Sequence, residues 1–366
     1  MEPARRAVLA LLMVLVAIPA LNAAESDRFT RRRADFPTVR DGDAEYAVLR
    51  GDFHLHTPHS DGHVSPRDRI TEAWREGYDV ISITDHRGFK AYEEALPLAR
   101  ELDVLLVRGM ETGVKEREHF LALGFSEDYE PRNPHEWAVE QGTDRVHFQE
   151  QMQRLADAGG FVVYAHPHVG FEEPVTWGIE QGILQGIEVK NAGVDGEWGS
   201  VQDHGTDWYP FALDRAMRDK LTVFANTDAH HERARKELVY TLVLTEERSV
   251  SGVMQALREG RTLAWFNDMV CARQDILTLL VNNVVDIAYR GTADGETWLW
   301  LNNRSPLPLE ATVDFQNERK TGVSIGPEQQ VLVPCPNTNE PLTVTWDNLW
   351  IESDENLVTT HEPASK

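Results

Sequence analysis

Short apolar runs alternate with amphipathic stretches over residues 46–270. The runs are rich in β-branched residues and lack polar alternation, which is typical of strands buried on both faces. Strands that alternate with helices indicate a parallel sheet or a barrel. The predicted strands are 46–56, 79–84, 104–107, 119–125, 161–165, 186–190, 221–225, 238–244 and 262–266, and the predicted helices are 67–76, 92–101, 147–158, 208–219 and 249–259.

The pattern changes after about residue 270. Short strands separated by Asn, Pro and Gly turns are predicted at 297–301, 309–313, 330–333 and 342–346. We see no helix signal in this part of the sequence, so we expect a small all-β module. The predicted fold is therefore an α/β domain followed by a small all-β domain.

The first residues have the pattern of an export signal. Arg5 and Arg6 precede an apolar run at 7–20, and Ala23-Ala24 follow it. The run is too short to span a membrane as a helix, and small residues after it are typical of a cleavage site. We expect a periplasmic or secreted protein with a signal peptide at 1–24, a lead-in segment at 25–45, the α/β domain at 46–270 and the β-rich domain at 271–366.

Charge and cysteine content restrict the partners. The formal net charge of the 366-residue chain is −24, and a field of that sign repels polynucleotides and anionic membrane surfaces. No nucleic acid polymer is expected as a partner, nor a membrane once the signal is removed. A small anionic substrate needs local positive charge, which metal ions supply. The spacing of Cys271 and Cys335 neither supports nor excludes a disulfide, and the oligomeric state is left open.

Histidine and carboxylate side chains occur where the predicted strands end. His54 and His56 lie at i and i+2, which points both rings to one face of an extended chain. In α/β barrels the carboxyl ends of the strands form the active site. Imidazole and carboxylate ligands suit Zn, Mn or Fe. One ion uses about three or four protein ligands, so nine candidate ligands predict two or three divalent ions. The candidate metal ligands are His54, His56, Asp61, His86, Glu111, His119, His166, Asp228 and His230.

This series of motifs resembles that of the PHP family, which is named for polymerase and histidinol phosphatase. The resemblance covers about residues 47–270 and implies a distorted (β/α)7 barrel, two or three divalent ions and phosphoester hydrolysis. Within the family, the chain is most similar to exported bacterial phosphodiesterases with a small C-terminal β module. The matching segments are His54-x-His56 with Ser60-Asp61-Gly62, Thr84-Asp85-His86, Gly109-Met110-Glu111, His119, Ala165-His166-Pro167 and Asp228-x-His230.

The resemblance implies that a metal-bridging hydroxide attacks phosphorus in a small phosphodiester or phosphomonoester. Glu111 is the candidate bridging ligand, and Asp228 is expected both to bind metal and to accept the proton of the water. His168 is a candidate proton donor to the leaving group. Arg87, Lys190 and His59 are candidate substrate-binding residues, and Arg87 is also a candidate catalytic residue.

Two other functions stay open at this point. Some PHP-like proteins cleave carboxyl esters, so a carboxyl-ester or amide hydrolase with the same metal centre is an alternative. A secreted binding protein with structural metals is an alternative of another class. Arg87 and Lys190 could also be charged residues at the rim of the site without a role in binding. We expect Asp85 to support a metal ligand rather than to bind metal itself.

Overall fold

The computed structural model describes residues 31, 35–86, 88–113, 119–129, 144–168, 170–171, 173–193, 208–232, 239–291, 296–315, 319–335 and 341–362. The predicted signal peptide at 1–24 and the candidate residue Arg87 lie outside these residues. Within them, no helix combines the length and the apolar character that a membrane crossing needs.

The described residues form a mixed α/β fold with most of the predicted elements. The helices are α1 (Pro66–Glu76), α2 (Lys90–Glu101), α3 (Asp144–Asp157), α4 (Glu173–Glu180), α5 (Pro210–Asp219), α6 (Val250–Arg258) and α7 (Gln274–Val284). The strands are β1 (Val39–Asp41), β2 (Ala44–Asp52), β3 (Val80–Ile83), β4 (Leu105–Gly113), β5 (His119–Leu123), β6 (Phe161–Ala165), β7 (Leu184–Asn191), β8 (Thr222–Asn226), β9 (Val239–Thr245), β10 (Thr262–Phe266), β11 (Met269–Cys271), β12 (Val285–Gly291), β13 (Thr297–Asn303), β14 (Leu309–Asp314), β15 (Lys320–Ile325), β16 (Gln330–Pro334), β17 (Leu342–Glu352) and β18 (Glu355–His361).

Seven strands of the α/β part follow one another in the sheet in the order β2-β3-β4-β5-β6-β7-β8. The pairs β2–β3, β3–β4, β6–β7 and β7–β8 are parallel, but β5 is antiparallel to both β4 and β6. The prediction names a parallel sheet or a barrel, and a parallel sheet is wrong at β5. It is also wrong at β9, which is antiparallel to both β2 and β10. Only residues 114–118 separate β4 from β5, and a parallel crossover needs a dozen residues or more.

The segment that follows β8 contacts the segment that follows β2. An isolated parallel bridge joins Leu55 to Ala229, and the amide of His56 donates to the carbonyl of Ala229 at 3.1 Å. Among the described residues this contact is a bridge rather than a full ladder between β8 and β2. The structure thus has the strand order of the expected barrel, and barrel closure itself stays a prediction.

An apolar layer fills the space beneath the strand ends that carry the site. It includes Phe53, Phe161 and Phe224. The ring centroids of Phe53 and Phe224 lie 5.6 Å apart. Val253 and Leu257 of α6 belong to the same buried cluster. The polar site therefore lies above an apolar floor that excludes water from below.

The C-terminal part is rich in strands and shares a sheet with the α/β part. Strands β9, β10 and β11 extend the sheet beyond β2, and β11 pairs in parallel with β17 through Val270–Leu349 and Cys271–Trp350. A separate three-stranded sheet has the order β12-β13-β16. The prediction of a helix-free C-terminal module is wrong at α7, whose buried apolar residues recur with helical spacing. Cys271 and Cys335 are both buried and are not joined by a disulfide.

Candidate metal centre

The first motif lies on an extended segment after β2 rather than inside the strand. Leu55 holds this segment between its neighbours, since its carbonyl accepts from the amide of Thr84 at 2.8 Å and its backbone bridges to Ala229. His54 and His56 flank Leu55 and point to the same side, as the i, i+2 spacing predicts. Both rings are fully buried.

Glu111 lies at the centre of the site, 1% exposed, with five imidazoles around its carboxylate. Its Oε2 is 3.2 Å from Nε2 of His54, 3.1 Å from Nε2 of His56 and 3.2 Å from Nδ1 of His86. Its Oε1 is 2.8 Å from Nδ1 of His119 and 3.0 Å from Nε2 of His166. One carboxylate thus contacts five of the six predicted imidazole ligands, as expected of a bridging ligand.

Asp61 forms a second, more open part of the site. Its carboxylate lies 3.4 Å from Nδ1 of His56, 3.2 Å from Nε2 of His86 and 3.5 Å from Nε2 of His230. The Asp61 side chain is 52% exposed, so solvent reaches the site from this side. The turn that returns Asp61 requires a glycine next to it, because a Cβ on Gly62 would lie 2.4 Å from the carbonyl carbon of His56.

Asp228 completes the buried side of the site. Its Oδ1 is 3.2 Å from Nε2 of His54 and 3.0 Å from Nε2 of His56. The backbone φ of Asp228 is 49° and that of His166 is 25°, both in the left-handed region that non-glycine residues rarely adopt. Strained backbone of this kind is concentrated at functional sites, where the surroundings hold it in place.

The charges of the site stabilise one another. Burial opposes ionisation of Glu111, but the pKa of its carboxyl is held well below the ordinary value by His86, His54 and His119. Burial likewise disfavours the cationic form of His56, yet Asp228 and Glu111 raise its pKa to about 9. The pKa of His54 is raised by Asp228, Glu111 and Glu188 against the same desolvation. Metal binding at these rings must therefore displace protons.

The donor atoms fit metal ions. The Nε2 atoms of His54 and His56, Nδ1 of His166 and Oδ1 of Asp228 are buried and have no hydrogen-bond partner among the described residues. Buried polar atoms are almost always hydrogen-bonded, and a cation coordinated by these four atoms would satisfy them together. Ligand atoms within 4.8 Å of one another form four sets, which are His56/Asp61/His86/His230, His54/Glu111/His166, His54/His56/Asp228 and His86/Glu111/His119.

These four sets contain all nine residues that the sequence nominates, and their roles as ligands remain predictions. Asp85 lies outside the sets and accepts hydrogen bonds from Thr57 Oγ1 at 2.6 Å and Ser60 Oγ at 2.7 Å. Ser60 Oγ is in turn 3.3 Å from Nδ1 of His56. Asp85 therefore supports the loop of the first motif, in line with the expectation for it.

The candidate substrate residues have different surroundings. His168 is at the rim, where its Nδ1 lies 2.6 Å from the carbonyl of His166 and therefore carries a hydrogen. Burial and the neighbouring His166 lower its pKa, so the neutral ring has its lone pair on Nε2, which favours proton acceptance over the predicted donation. His59 is partly exposed and pairs with Glu94 at 3.0 Å. Lys190 is fully buried at the end of β7 rather than at an open rim.

Two buried charged residues near the site are absent from the sequence-derived set. Glu188 in β7 contacts His54 Nδ1 at 2.8 Å, and Arg69 in α1 donates to the carbonyl of His56 at 3.0 Å. A signal for each was present in the sequence. Glu188 interrupts an apolar run, and Arg69 lies one residue before Ile70 on the buried face of α1.

Comparisons with known proteins agree with this geometry. Residues 52–144 match the model of the PHP domain family, and this segment contains the motifs from His54 to His119. The resemblance to that family is thus confirmed. A two-domain protein of Bacteroides vulgatus, described as containing a predicted PHP-like metal-dependent phosphoesterase, has a similar structure, with a TM-score of 0.71, 23% identity and coverage of 91% of this chain and 99% of that chain. This similarity shows that the two share a fold.

Two curated proteins are similar in sequence. An uncharacterized protein of Methanocaldococcus jannaschii is 26% identical over 155 residues, which is 39% of this chain and 82% of that protein. A 5'-3' exoribonuclease of Haemophilus influenzae is 28% identical over 81 residues, 21% of this chain. The chain matches only 30% of the length of that exoribonuclease.

Proposed function

From the PHP domain match and the geometry of the site, we propose that this chain is a metal-dependent phosphoesterase that hydrolyses small phosphodiesters or phosphomonoesters. The observation that carries the proposal is the position of Glu111 among five imidazoles, beside buried Nε2 atoms of His54 and His56 that lack hydrogen bonds. A closed site for one structural ion needs about four ligands, whereas this site offers nine. Zn, Mn and Fe all suit this ligand set.

Bound divalent ions supply an activated water and neutralise negative charge on the phosphoryl oxygens. His54, His56, Glu111, His166 and Asp228 would hold ions on the buried side. Asp61, His86, His119 and His230 would complete the set toward solvent. The pKa of Asp228 is lowered, since the neighbouring His54 and His56 outweigh its burial, so this carboxylate is ionised near neutral pH and would bind a metal ion through Oδ1. Its proposed second role, acceptance of the proton of the water, rests on its position in the site and not on this shift.

The open side of the site sets the class of substrate. Asp61, His230 and His86 are the most exposed of the candidate ligands, so a substrate enters past them. The chain carries 60 acidic and 36 basic residues, which disfavours a long polyanion near this entrance. His59 and Arg87 remain the proposed substrate-binding residues, and His168 the residue that exchanges a proton at the rim. The full burial of Lys190 argues against direct contact of this side chain with a substrate.

The proposal extends to fold and location. We place the seven strands β2–β8 in a distorted (β/α)7 barrel, supported by their order and by the Leu55–Ala229 bridge. We also place the mature protein in the periplasm or outside the cell, based on the pattern of residues 1–24. Cell fractionation tests the location, and finding the full-length chain in the cytosol would contradict it.

The test of function combines elemental analysis with hydrolysis assays on the purified mature chain. Bis(p-nitrophenyl) phosphate, p-nitrophenyl phosphate and p-nitrophenyl acetate are compared with Mn, Fe and Zn. Two or three ions per chain and faster turnover of either phosphoester support the proposal. Cleavage of the acetate alone would instead support a carboxyl-ester or amide hydrolase, and metal without turnover would support a secreted binding protein with structural metals.

A paired substitution separates the site from general charge effects. Glu111→Gln keeps the shape of the side chain but removes the charge that five imidazoles contact, so metal content and turnover should fall together. Glu45→Gln is the matched control, because Glu45 is exposed and pairs only with Arg40 at 2.8 Å among the described residues. Unchanged turnover in Glu111→Gln would contradict the assignment of the bridging ligand.

A further inference from the structure

Glu188 of β7 is a fully buried carboxylate with four nitrogen atoms around it. Its Oε1 lies 2.8 Å from Nδ1 of His54 and accepts a hydrogen bond from Nδ2 of Asn226 at 2.8 Å. Its Oε2 accepts from the amide of His166 at 2.6 Å and from Nδ2 of Asn191 at 2.8 Å. Two of the four neighbours, His54 and His166, belong to the proposed metal centre.

The orientation of both asparagines is fixed by backbone amides. Oδ1 of Asn226 accepts from the amide of Phe53 at 2.9 Å, and Oδ1 of Asn191 accepts from the amide of Gly193 at 3.1 Å. Each NH2 group must therefore face Glu188. Three of the four neighbours are thus obligatory donors, and both oxygens of Glu188 act as acceptors.

The fourth neighbour is the ring of His54. With Glu188 as a carboxylate, Nδ1 of His54 carries the hydrogen and the lone pair of the neutral ring lies on Nε2. That Nε2 atom is the one that lies 3.2 Å from both Glu111 and Asp228 and makes no hydrogen bond in the described part of the chain. A carboxylate behind a metal-binding histidine fixes its tautomer and raises its basicity.

Asn191 extends the arrangement to Asp228. Its Nδ2 also lies 3.2 Å from Oδ2 of Asp228, which leaves Oδ1 directed at His54 and His56. We infer that Glu188 is a positioning residue of the metal centre: it holds His54 in the tautomer that presents Nε2 to a metal ion, and through Asn191 it orients Asp228. This inference rests on the proposed function, because it concerns the same site.

The test is titration of the full mature chain with Co²⁺, followed by visible absorption and by competition with a chelator. In Glu188→Gln, an NH2 group replaces one oxygen and faces two donors, so His54 loses its acceptor or the hydrogen-bond network rearranges. Loss of such a partner costs about 10–100-fold in metal affinity, and we expect a loss of that size with a changed Co²⁺ spectrum.

The control variant is Asp79→Asn, which also converts a buried carboxylate to an amide. Asp79 accepts from the amide of Arg50 at 3.1 Å and precedes β3, at the end of the strand opposite to His86. This variant is expected to lower stability and to leave Co²⁺ affinity and spectrum as in the wild type. Equal Co²⁺ affinity in Glu188→Gln and the wild type would overturn the inference.

Two further variants keep the inference open to refutation. If Glu188→Gln fails to fold, Glu188→Asp is titrated instead; it keeps the charge but is one methylene shorter, so affinity should still fall, and wild-type affinity would contradict the positioning role. In a His54→Asn background, Glu188→Gln should cost less affinity than in the wild type, and an equal cost would contradict action through His54.

The outcomes for Glu188 and for the proposed function are distinguishable. A wild-type chain that binds Co²⁺ but hydrolyses no ester refutes the phosphoesterase proposal and leaves the affinity comparison valid. A wild-type chain that hydrolyses phosphoesters, with Glu188→Gln unchanged in metal affinity, refutes the positioning role alone.

Discussion

Arg69 links two loops of the metal centre, and its replacement should destabilise the fold. The guanidinium is fully buried and donates from Nε to the carbonyl of His56 at 3.0 Å, from Nη2 to Ala229 at 2.7 Å and from Nη1 to His231 at 2.9 Å. One loop carries His56 and the other carries His230. Arg69→Met keeps much of the apolar stem but removes these three hydrogen bonds to carbonyl groups, and also the ion pair of Nη1 with Glu72 at 2.9 Å.

The expected magnitude follows from these three bonds. A hydrogen bond that involves a charged group contributes about 1.5–3 kcal/mol, so three bonds at the lower end give about 4.5 kcal/mol. Unfolding entropy is about 2.1 cal/mol/K per residue, or roughly 0.77 kcal/mol/K for this chain. The melting temperature of Arg69→Met should therefore fall by about 6 °C if the chain unfolds cooperatively.

Thermal unfolding followed by circular dichroism measures this shift, with and without added Mn²⁺. Arg67→Met is the matched control, since Arg67 lies on the exposed side of the same helix and should shift the melting temperature by no more than about 1 °C. A shift below about 2 °C for Arg69→Met, or equal shifts in the two variants, would contradict the stabilising role of these hydrogen bonds. The Mn²⁺-dependent stabilisation should also shrink, because both loops carry predicted ligands.

Three more predictions follow from individual contacts. The pKa of His56 is raised from 6.5 to about 9, so the protonated ring stabilises the metal-free fold fully below pH 6.5 and loses that contribution as the pH rises to about 9. After EDTA treatment the melting temperature should fall across this pH range. The melting temperature of the metal-loaded protein should not show that fall. Gly62→Ala should lower the free energy of unfolding by about 1–3 kcal/mol and weaken metal binding, because the new Cβ meets backbone atoms of His56. Gly322→Ala should be nearly neutral, because a Cβ there has no atom within 4 Å. Equal urea midpoints for the two variants would contradict this prediction. Cys271 is buried and burial raises the pKa of its thiol, so iodoacetamide should modify it only after denaturation, as mass spectrometry would show.

The positions of the candidate ligands at strand ends could be predicted from the sequence. The directions of the strands and the contacts that support the ligands could not. The i, i+2 spacing of His54 and His56 fixes that both rings share a side, whatever the exact end of β2. The antiparallel direction of β5 depends on the short connection at 114–118, which the apolar pattern alone does not indicate. The prediction misses helix α7 although its buried apolar residues recur with helical spacing, because it lets the strand pattern of the following residues begin at residue 271.

Glu188 and Arg69 show a second limit of prediction from the sequence. Both lie where the pattern predicts burial, one inside an apolar run and one on the inner face of α1. Burial of a charge requires a partner, but the pattern does not tell which partner it meets. Two of the partners of Arg69, the carbonyl groups of Ala229 and His231, lie 160 and 162 residues away along the chain, and only the assembled strands bring them together.

The shared sheet has a consequence for the order of events during biosynthesis. Val48 of β2 pairs with Leu244 of β9, and Val270 of β11 pairs with Leu349 of β17. At a translation rate of about 5–20 residues per second, β2 waits about 10–40 s for β9, the last of its partner strands to be made. His54 and His230 likewise become available together only late in synthesis. The set of nine predicted ligands is thus complete only after residue 230 has been made, and we expect metal loading to follow assembly of the sheet rather than to nucleate it.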